Sequence, residues 1–112
     1  MKGADEMAAP YTVKVGTTVT RVVDYSSKRT VVMIYNNSNV VIYLGIGQEL
    51  STGNGFPIAP NQGAVFAREF GDDPTIAYYA VAESGTADVR VWEGFGKTLG
   101  ALISELIETM KR

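Results

Sequence analysis

The sequence predicts an all-β domain of about seven antiparallel strands, arranged as a β-sandwich or jelly-roll-like barrel and followed by a C-terminal amphipathic α-helix. Two observations predict the strands. Segments rich in Val, Ile, Thr and Tyr recur along the chain, and clusters of Gly, Asn, Asp, Ser and Pro separate them at intervals of about 8–12 residues. A third observation predicts the helix, because the apolar spacing changes from a strand period to a helical period after residue 96.

The length of 112 residues suits one domain. We expect a flexible N-terminal arm over residues 1–10, the sandwich over 11–93 and the helix over 98–112, with Thr98 as its N-cap. Turn residues at 36–39 and 83–86 predict that the strands on either side of each turn form a hairpin. The predicted strands cover 11–15, 17–23, 29–35, 40–45, 64–70, 76–82 and 87–93.

The composition argues against several classes of function. The chain contains neither cysteine nor histidine, so it has no thiol chemistry and lacks the commonest general base and metal ligand. Its formal net charge is −2, and no basic stripe of the kind that binds nucleic acid is visible. No apolar window approaches a membrane span, and Asp5 and Glu6 interrupt any signal-peptide core. We therefore expect no cofactor, no metal, no nucleic-acid or membrane partner, and synthesis and use in the cytoplasm or in a particle assembled there.

Three short motifs suggest chemistry but lack the spacing that the chemistry needs. Residues 45–47 (GIG) lack the third glycine of a dinucleotide loop, and residues 96–98 (GKT) lack the first glycine of a phosphate loop. The acidic pair at 72–73 is typical of a solvated turn before Pro74. No serine lies in a nucleophile motif. These absences predict a protein that is not an enzyme.

The predicted helix is the most informative segment. Its apolar side chains recur at i, i+3, i+4, i+7, i+8 and i+11, and each would contribute about 1.5–3 kcal/mol if fully buried. That face must therefore pack on the chain's own sandwich or on another subunit, and the glycines ahead of the helix favour another subunit. The side chains are Leu99, Leu102, Ile103, Leu106, Ile107 and Met110.

Three other apolar side chains are predicted to lie at contacts. Trp92 shares the outer face of the last strand with charged residues, so we expect the helix or an interface to cover it. The alternative is a partly exposed ring with its indole N–H in water. The loop over 50–63 (LSTGNGFPIAPNQG) is predicted to be neither helix nor strand. Its Phe56 and Ile58 are expected to pack on the sandwich edge or on a neighbouring subunit.

The order of these segments resembles small structural proteins of tailed phages and related viruses. The likeness rests on RTVVMIYNNSNVVIYLG, GNGFPIAPNQGAVF and YYAVAESGTADVRVWE, within residues 29–93, and it excludes the helix. It implies a non-enzymatic β-sandwich attached to heads or tails as decoration, cement or a minor subunit. The expected partners are other virion proteins and further copies of the chain, a trimer being favoured. The expected location is the virion, assembled in the host cytoplasm.

A second class of function stays open on the sequence alone. Tyr35, Tyr43, Tyr78 and Tyr79, together with Phe56, would suit a platform that stacks sugars, and this predicts a carbohydrate- or receptor-binding module. Tyr78 and Tyr79 are neighbours in one strand and must point to opposite faces, so at most one of them joins such a surface.

Overall fold

The computed structural model describes residues 8–96 and the helical segment 99–111, and it confirms the all-β prediction. Eight antiparallel strands form two four-stranded sheets, termed sheet A and sheet B, and one α-helix follows them. A single turn of 3-10 helix, Arg68–Phe70, ends the sixth strand. The elements are β1 Tyr11–Val15, β2 Thr20–Val23, β3 Val31–Asn36, β4 Ile42–Gly45, β5 Phe56–Ile58, β6 Gly63–Ala67, β7 Tyr78–Ala82, β8 Ala87–Gly94 and α1 Leu99–Met110.

The strand order is that of a jelly roll. Sheet A has the order β1-β8-β3-β6 and sheet B the order β2-β7-β4-β5, so consecutive strands alternate between the sheets except at β4 and β5. The first half of the strands pairs with the second half in reverse order, as in one long hairpin that is folded over into two layers. The antiparallel pairs are β1–β8, β2–β7, β3–β6 and β4–β5. The two layers enclose a single apolar core.

This topology corrects the two predicted hairpins. β3 and β4 lie in different sheets although the Asn-rich turn at 36–39 joins them. β7 and β8 also lie in different sheets although the turn at 83–86 joins them. β4 instead forms a hairpin with β5, which lies inside the loop that was predicted to contain no strand. β5 has three residues with Pro57 at its centre, and a proline is tolerated in a strand at the edge of a sheet.

The core follows the alternation of side chains along the strands. The predicted inward face of the last strand, Ala87, Val89 and Val91, is fully buried. Near the β5–β6 side of the sandwich, Tyr78 stacks on Phe66 with ring centroids 4.7 Å apart. The two sheets are therefore joined by aromatic packing at this side and by aliphatic packing elsewhere.

A buried asparagine holds the crossing from β3 to β4. Asn36 is fully buried, and its side-chain amide donates to the carbonyl oxygens of Val40 at 2.8 Å and Ile58 at 2.9 Å. The hydroxyl of Ser38 donates to its Oδ1 at 2.6 Å. The amide therefore ties the turn to β5 and leaves no polar atom of Asn36 without a partner.

A buried ion pair joins the segment before β3 to the end of β8. Arg29 is 1% exposed, and its Nη1 donates to Oε1 of Glu93 at 2.9 Å. Its Nε and Nη2 donate to the carbonyl oxygens of Pro74 at 2.6 Å and Ile76 at 2.8 Å. The hydroxyl of Tyr11 donates to the other oxygen of Glu93 at 2.7 Å. This network fastens β1, β8 and the segment before β7 to one guanidinium group.

Tyr11 makes the network sensitive to alkaline pH. Burial, and then the hydrogen bond to Glu93, raise the pKa of Tyr11 far above its ordinary value of about 10. Because the folded pKa exceeds the unfolded one, the contribution of the neutral phenol to stability is complete below about pH 10 and falls at higher pH. We expect the free energy of unfolding, measured in urea, to decrease from pH 9 to 11.

The corresponding variant is Tyr11→Phe. It should lose about 1.5–3 kcal/mol at pH 7, where one hydrogen bond to a carboxylate is removed, and it should show a shallower decrease at alkaline pH. Tyr25→Phe is the matched control, because the ring of Tyr25 is exposed. Identical alkaline slopes for the two variants would contradict the assignment.

Candidate functional site

The apolar face of α1 is exposed. All side chains described on the helix, residues 103–111, face solvent, so neither sheet of the same chain covers them. Leu99 and Leu102 were predicted on the same face, but their side chains lie outside the described residues, as does the predicted cap at Thr98. The exposed apolar residues, termed the α1 stripe, are Ile103, Leu106, Ile107 and Met110, which are 49–74% exposed.

Sheet A carries a second apolar surface on the side away from the core. Trp92 of β8 lies opposite Met33 of β3, and Met33 lies opposite Val65 of β6, so the three form a row across three strands. Tyr35 follows Met33 on the same face of β3. These four residues, 38–44% exposed, are termed the sheet A patch.

The N-terminal segment borders the sheet A patch. The indole N–H of Trp92 donates to the carbonyl oxygen of Ala8 at 2.6 Å, and the N–H of Ala8 donates to the carbonyl oxygen of Glu93 at 3.0 Å. Residues 8–10, at the end of the N-terminal arm predicted over 1–10, therefore run beside β8. Residues 1–7 of the predicted arm lie outside the described residues. The partner of the indole N–H is thus a backbone carbonyl, and the ring remains partly exposed.

A third apolar surface is an open cleft between the sheets beside β5. Leu44 and Phe56 pair across β4 and β5 and line the cleft together with the stacked rings of Phe66 and Tyr78. Ile46, which is largely exposed, also lines it. The cleft measures about 280 Å³ and has an apolar lining. Its size suits one or two apolar side chains.

The two predicted contact residues of the 50–63 loop have different surroundings. Phe56 is 64% exposed at the cleft and is accessible to another molecule. Ile58 lies opposite Ile42 in the core and is 3% exposed, so it packs on its own sandwich and has little surface left for another subunit. The side chain of Asn54 fixes the loop through two hydrogen bonds. Its Oδ1 accepts from the backbone N–H of Ser51, and its Nδ2 donates to the carbonyl oxygen of Glu49.

The four tyrosines proposed for a sugar platform do not all share one surface. Tyr35 lies on the outer face of sheet A, whereas Tyr43 and Tyr79 alternate with inward residues of sheet B and lie on its outer face. Tyr78 points inward, and its hydroxyl donates to the carbonyl oxygen of Asp73 at 2.6 Å. Stacking of one sugar on the whole set is therefore excluded by their placement.

The acidic turn at 72–73 is held by local hydrogen bonds. Thr75 donates to Asp73 through its hydroxyl and its backbone N–H, and these bonds lower the pKa of the Asp73 carboxyl. Asp72 accepts from the N–H of Ala67 at 3.3 Å. Over residues 8–96 and 99–111, no group of three or more acidic side chains is placed to hold a metal ion. Within the same described ranges, no helix is both long and apolar enough to cross a membrane.

Comparison with known proteins does not place the chain in a family. No family model matches the sequence, and no curated protein matches it. One similar solved structure is a chain described as "Bacillus endospore appendages form a novel family of disulfide-linked pili". It is 11% identical, with a TM-score of 0.40, and the similarity covers 81% of this chain and 90% of that chain. A likeness at this level carries no argument about function, so the resemblance to phage proteins stays a prediction.

Proposed function

We propose that the chain is a non-enzymatic structural subunit that assembles with copies of itself through apolar contacts. We further propose that it serves in a virion as a capsid decoration, cement or minor head or tail protein. The observation that supports the assembly is the α1 stripe, which a single chain leaves in solvent. Contiguous exposed apolar surface of this kind marks interaction sites in soluble proteins.

The length of α1 strengthens the argument for assembly. It has 12 residues, and isolated helices of about 12–15 residues or fewer are only marginally stable in water. Such a helix gains most of its stability from packing of its apolar face. Because the described part of its own chain provides no cover, contact with another subunit is the source of stability that remains.

The virion role rests on the resemblance within residues 29–93 rather than on the fold. Jelly rolls occur in viral capsid proteins, lectins and cupins, so the architecture is compatible with the proposal and does not select it. The four tyrosines of the rival sugar-binding function do not form one platform, since only Tyr43 and Tyr79 share a face, the outer face of sheet B. With no cysteine in its sequence, the chain cannot be joined to its neighbours by disulfides.

The first test is the native mass of the full chain by light scattering. We expect a homo-oligomer, with a trimer favoured, and we expect Ile107→Glu to raise its dissociation constant at least about tenfold by placing a carboxylate in the contact. Ser104→Glu is the matched control, since it adds the same charge outside the α1 stripe. A full chain that stays monomeric at all concentrations would refute self-assembly. Mass spectrometry of purified virions tests the second part of the proposal. If the chain is absent from them, the virion role is refuted.

A further inference from the structure

We infer that Asn54 is a modification site, at which opening of the segment 50–55 leads to irreversible deamidation of the side-chain amide. The folded segment slows the reaction, and the product no longer fits the closed segment. The inference concerns the loop that leads into β5 and does not depend on the proposed self-assembly.

The reaction needs only Asn54, the glycine that follows it and water. The backbone nitrogen of Gly55, once it loses its proton, attacks Cγ of Asn54 and forms a C–N bond. The bond from Cγ to Nδ2 breaks, and the amide group takes up a proton and leaves as ammonia. Water then opens the resulting succinimide ring at one of its two carbonyl groups. The product at position 54 is aspartate or isoaspartate, in which the main chain runs through the side-chain carbonyl.

Packing explains why glycine occupies position 55. A Cβ built on Gly55 would lie 2.6 Å from Cδ1 of Leu50 and 2.7 Å from Cβ of Tyr43. The Cβ of Tyr43 is fixed by the backbone of β4 and cannot move aside, so no larger residue fits. Glycine is also the residue that least obstructs attack on a preceding asparagine, because it has no Cβ and its backbone turns freely. The fold therefore retains a reactive Asn-Gly pair, and Asn54 itself is exposed to water.

Three hydrogen bonds oppose the reaction in the folded chain. The N–H of Gly55 donates to the carbonyl oxygen of Ser51 at 3.0 Å, which retains the proton that the attacking nitrogen must lose. Oδ1 of Asn54 accepts from the N–H of Ser51 at 2.8 Å, and Nδ2 donates to the carbonyl oxygen of Glu49 at 3.0 Å. The amide is thus held by residues that precede it, whereas the attack comes from the residue that follows. The reaction therefore requires the segment to open, a local event that needs no global unfolding.

Either product disturbs the contacts that close the segment. A carboxylate at position 54 has no N–H to donate to the carbonyl oxygen of Glu49, and the two oxygens repel each other. Isoaspartate also adds a methylene group to the main chain directly before Gly55, where the packing leaves no room. Because Phe56 follows directly and pairs with Leu44, the disturbance reaches the edge of sheet B and the apolar cleft beside β5.

Incubation of the full chain at mildly alkaline pH, folded in one sample and unfolded by urea in another, tests the inference. Peptide mass spectrometry gives the rate at which Asn54 becomes aspartate or isoaspartate. We expect a rate at least about tenfold lower in the folded chain, because the hydrogen bonds must open before the attack. Asn39 is the internal control. A β-branched valine follows it and hinders the attack, so it should react more slowly than Asn54 in the unfolded chain.

Two pairs of variants test the opening and its consequence. Leu50→Ala removes the side chain that packs over Gly55 and should raise the rate at Asn54 in the folded chain at least about threefold. Its control is Ile46→Ala, since Ile46 is 71% exposed. Asn54→Asp reproduces one product and should make hydrogen exchange of the Gly55 N–H at least about tenfold faster. Its control is Asn39→Asp, which adds the same charge in another turn and should leave that exchange unchanged.

Four results would overturn the inference. Equal rates at Asn54 in the folded and unfolded chain would show that the segment gives no protection. An unfolded chain that keeps Asn54 intact would refute the modification site itself. A rate in Leu50→Ala that rises only in proportion to the loss of global stability would assign the reaction to global unfolding. Unchanged exchange of the Gly55 N–H in Asn54→Asp would show that the product still fits the closed segment.

Discussion

Replacing Arg29 by methionine should lower the free energy of unfolding by about 3–5 kcal/mol, because it leaves the Glu93 carboxylate without its buried cation. The change also removes the donors to the carbonyl oxygens of Pro74 and Ile76. Methionine keeps most of the side-chain volume, so the loss is mainly electrostatic. Since small domains are stable by about 5–15 kcal/mol, a large part of the total depends on this one side chain.

Urea unfolding followed by the fluorescence of Trp92 measures the effect. Arg21→Met is the matched control, because Arg21 pairs with Asp24 at 3.3 Å on the surface, where such pairs contribute about 0–1 kcal/mol. The double variant Arg29→Met with Glu93→Met should recover part of the loss, since no charge is then left buried. An Arg29→Met variant as stable as Arg21→Met would show that the network contributes nothing.

Replacing Asn36 by aspartate should cost about 3 kcal/mol or more at pH 7. The side-chain amide of Asn36 donates to two carbonyl oxygens, and a carboxylate in the same place would face both of them as a buried, repelled anion. Burial would raise the pKa of the new carboxyl by disfavouring its charged form. The neutral acid would be favoured further because it can still donate one hydrogen bond to a carbonyl oxygen. The cost should therefore shrink as the pH is lowered from 7 to 4.

Asn39→Asp provides the matched control for this variant. Asn39 lies in the same turn and is exposed, so the same change of charge should alter the stability by no more than about 0.5 kcal/mol. Thermal unfolding of both variants at pH 7 and pH 4 gives the comparison. Equal stabilities, or a cost at Asn36 that does not depend on pH, would contradict the role assigned to the buried amide.

The sequence predicted the strands better than their partners. β1 has the predicted bounds, and β8 is one residue longer than predicted, because their apolar alternation is regular. The pairing of β3 with β6 and β8, and of β4 with β5 and β7, is set by packing between distant segments, which a turn signal does not report. β5 was missed because three residues around a proline carry no measurable period.

The candidate site was predicted to a similar degree. The helical spacing identified the α1 stripe, and the alternation of β8 placed Trp92 on the outer face. The sheet A patch needed the structure, because Met33, Val65 and Trp92 come together only through the register of three strands. Arg29 was also missed, since a buried arginine at the start of a strand has the same local sequence as an exposed one.

The central position of β8 in sheet A has a consequence for how the protein is made. β1 forms its ladder with β8 alone, and β8 ends at Gly94. At about 5–20 residues per second, β1 therefore waits on the order of ten seconds after it is synthesised before its partner leaves the ribosome. Sheet A is completed only when β8, the last of its four strands along the chain, has emerged. Until β8 arrives, the backbone N–H and C=O groups of β1 that will pair with it have no strand beside them.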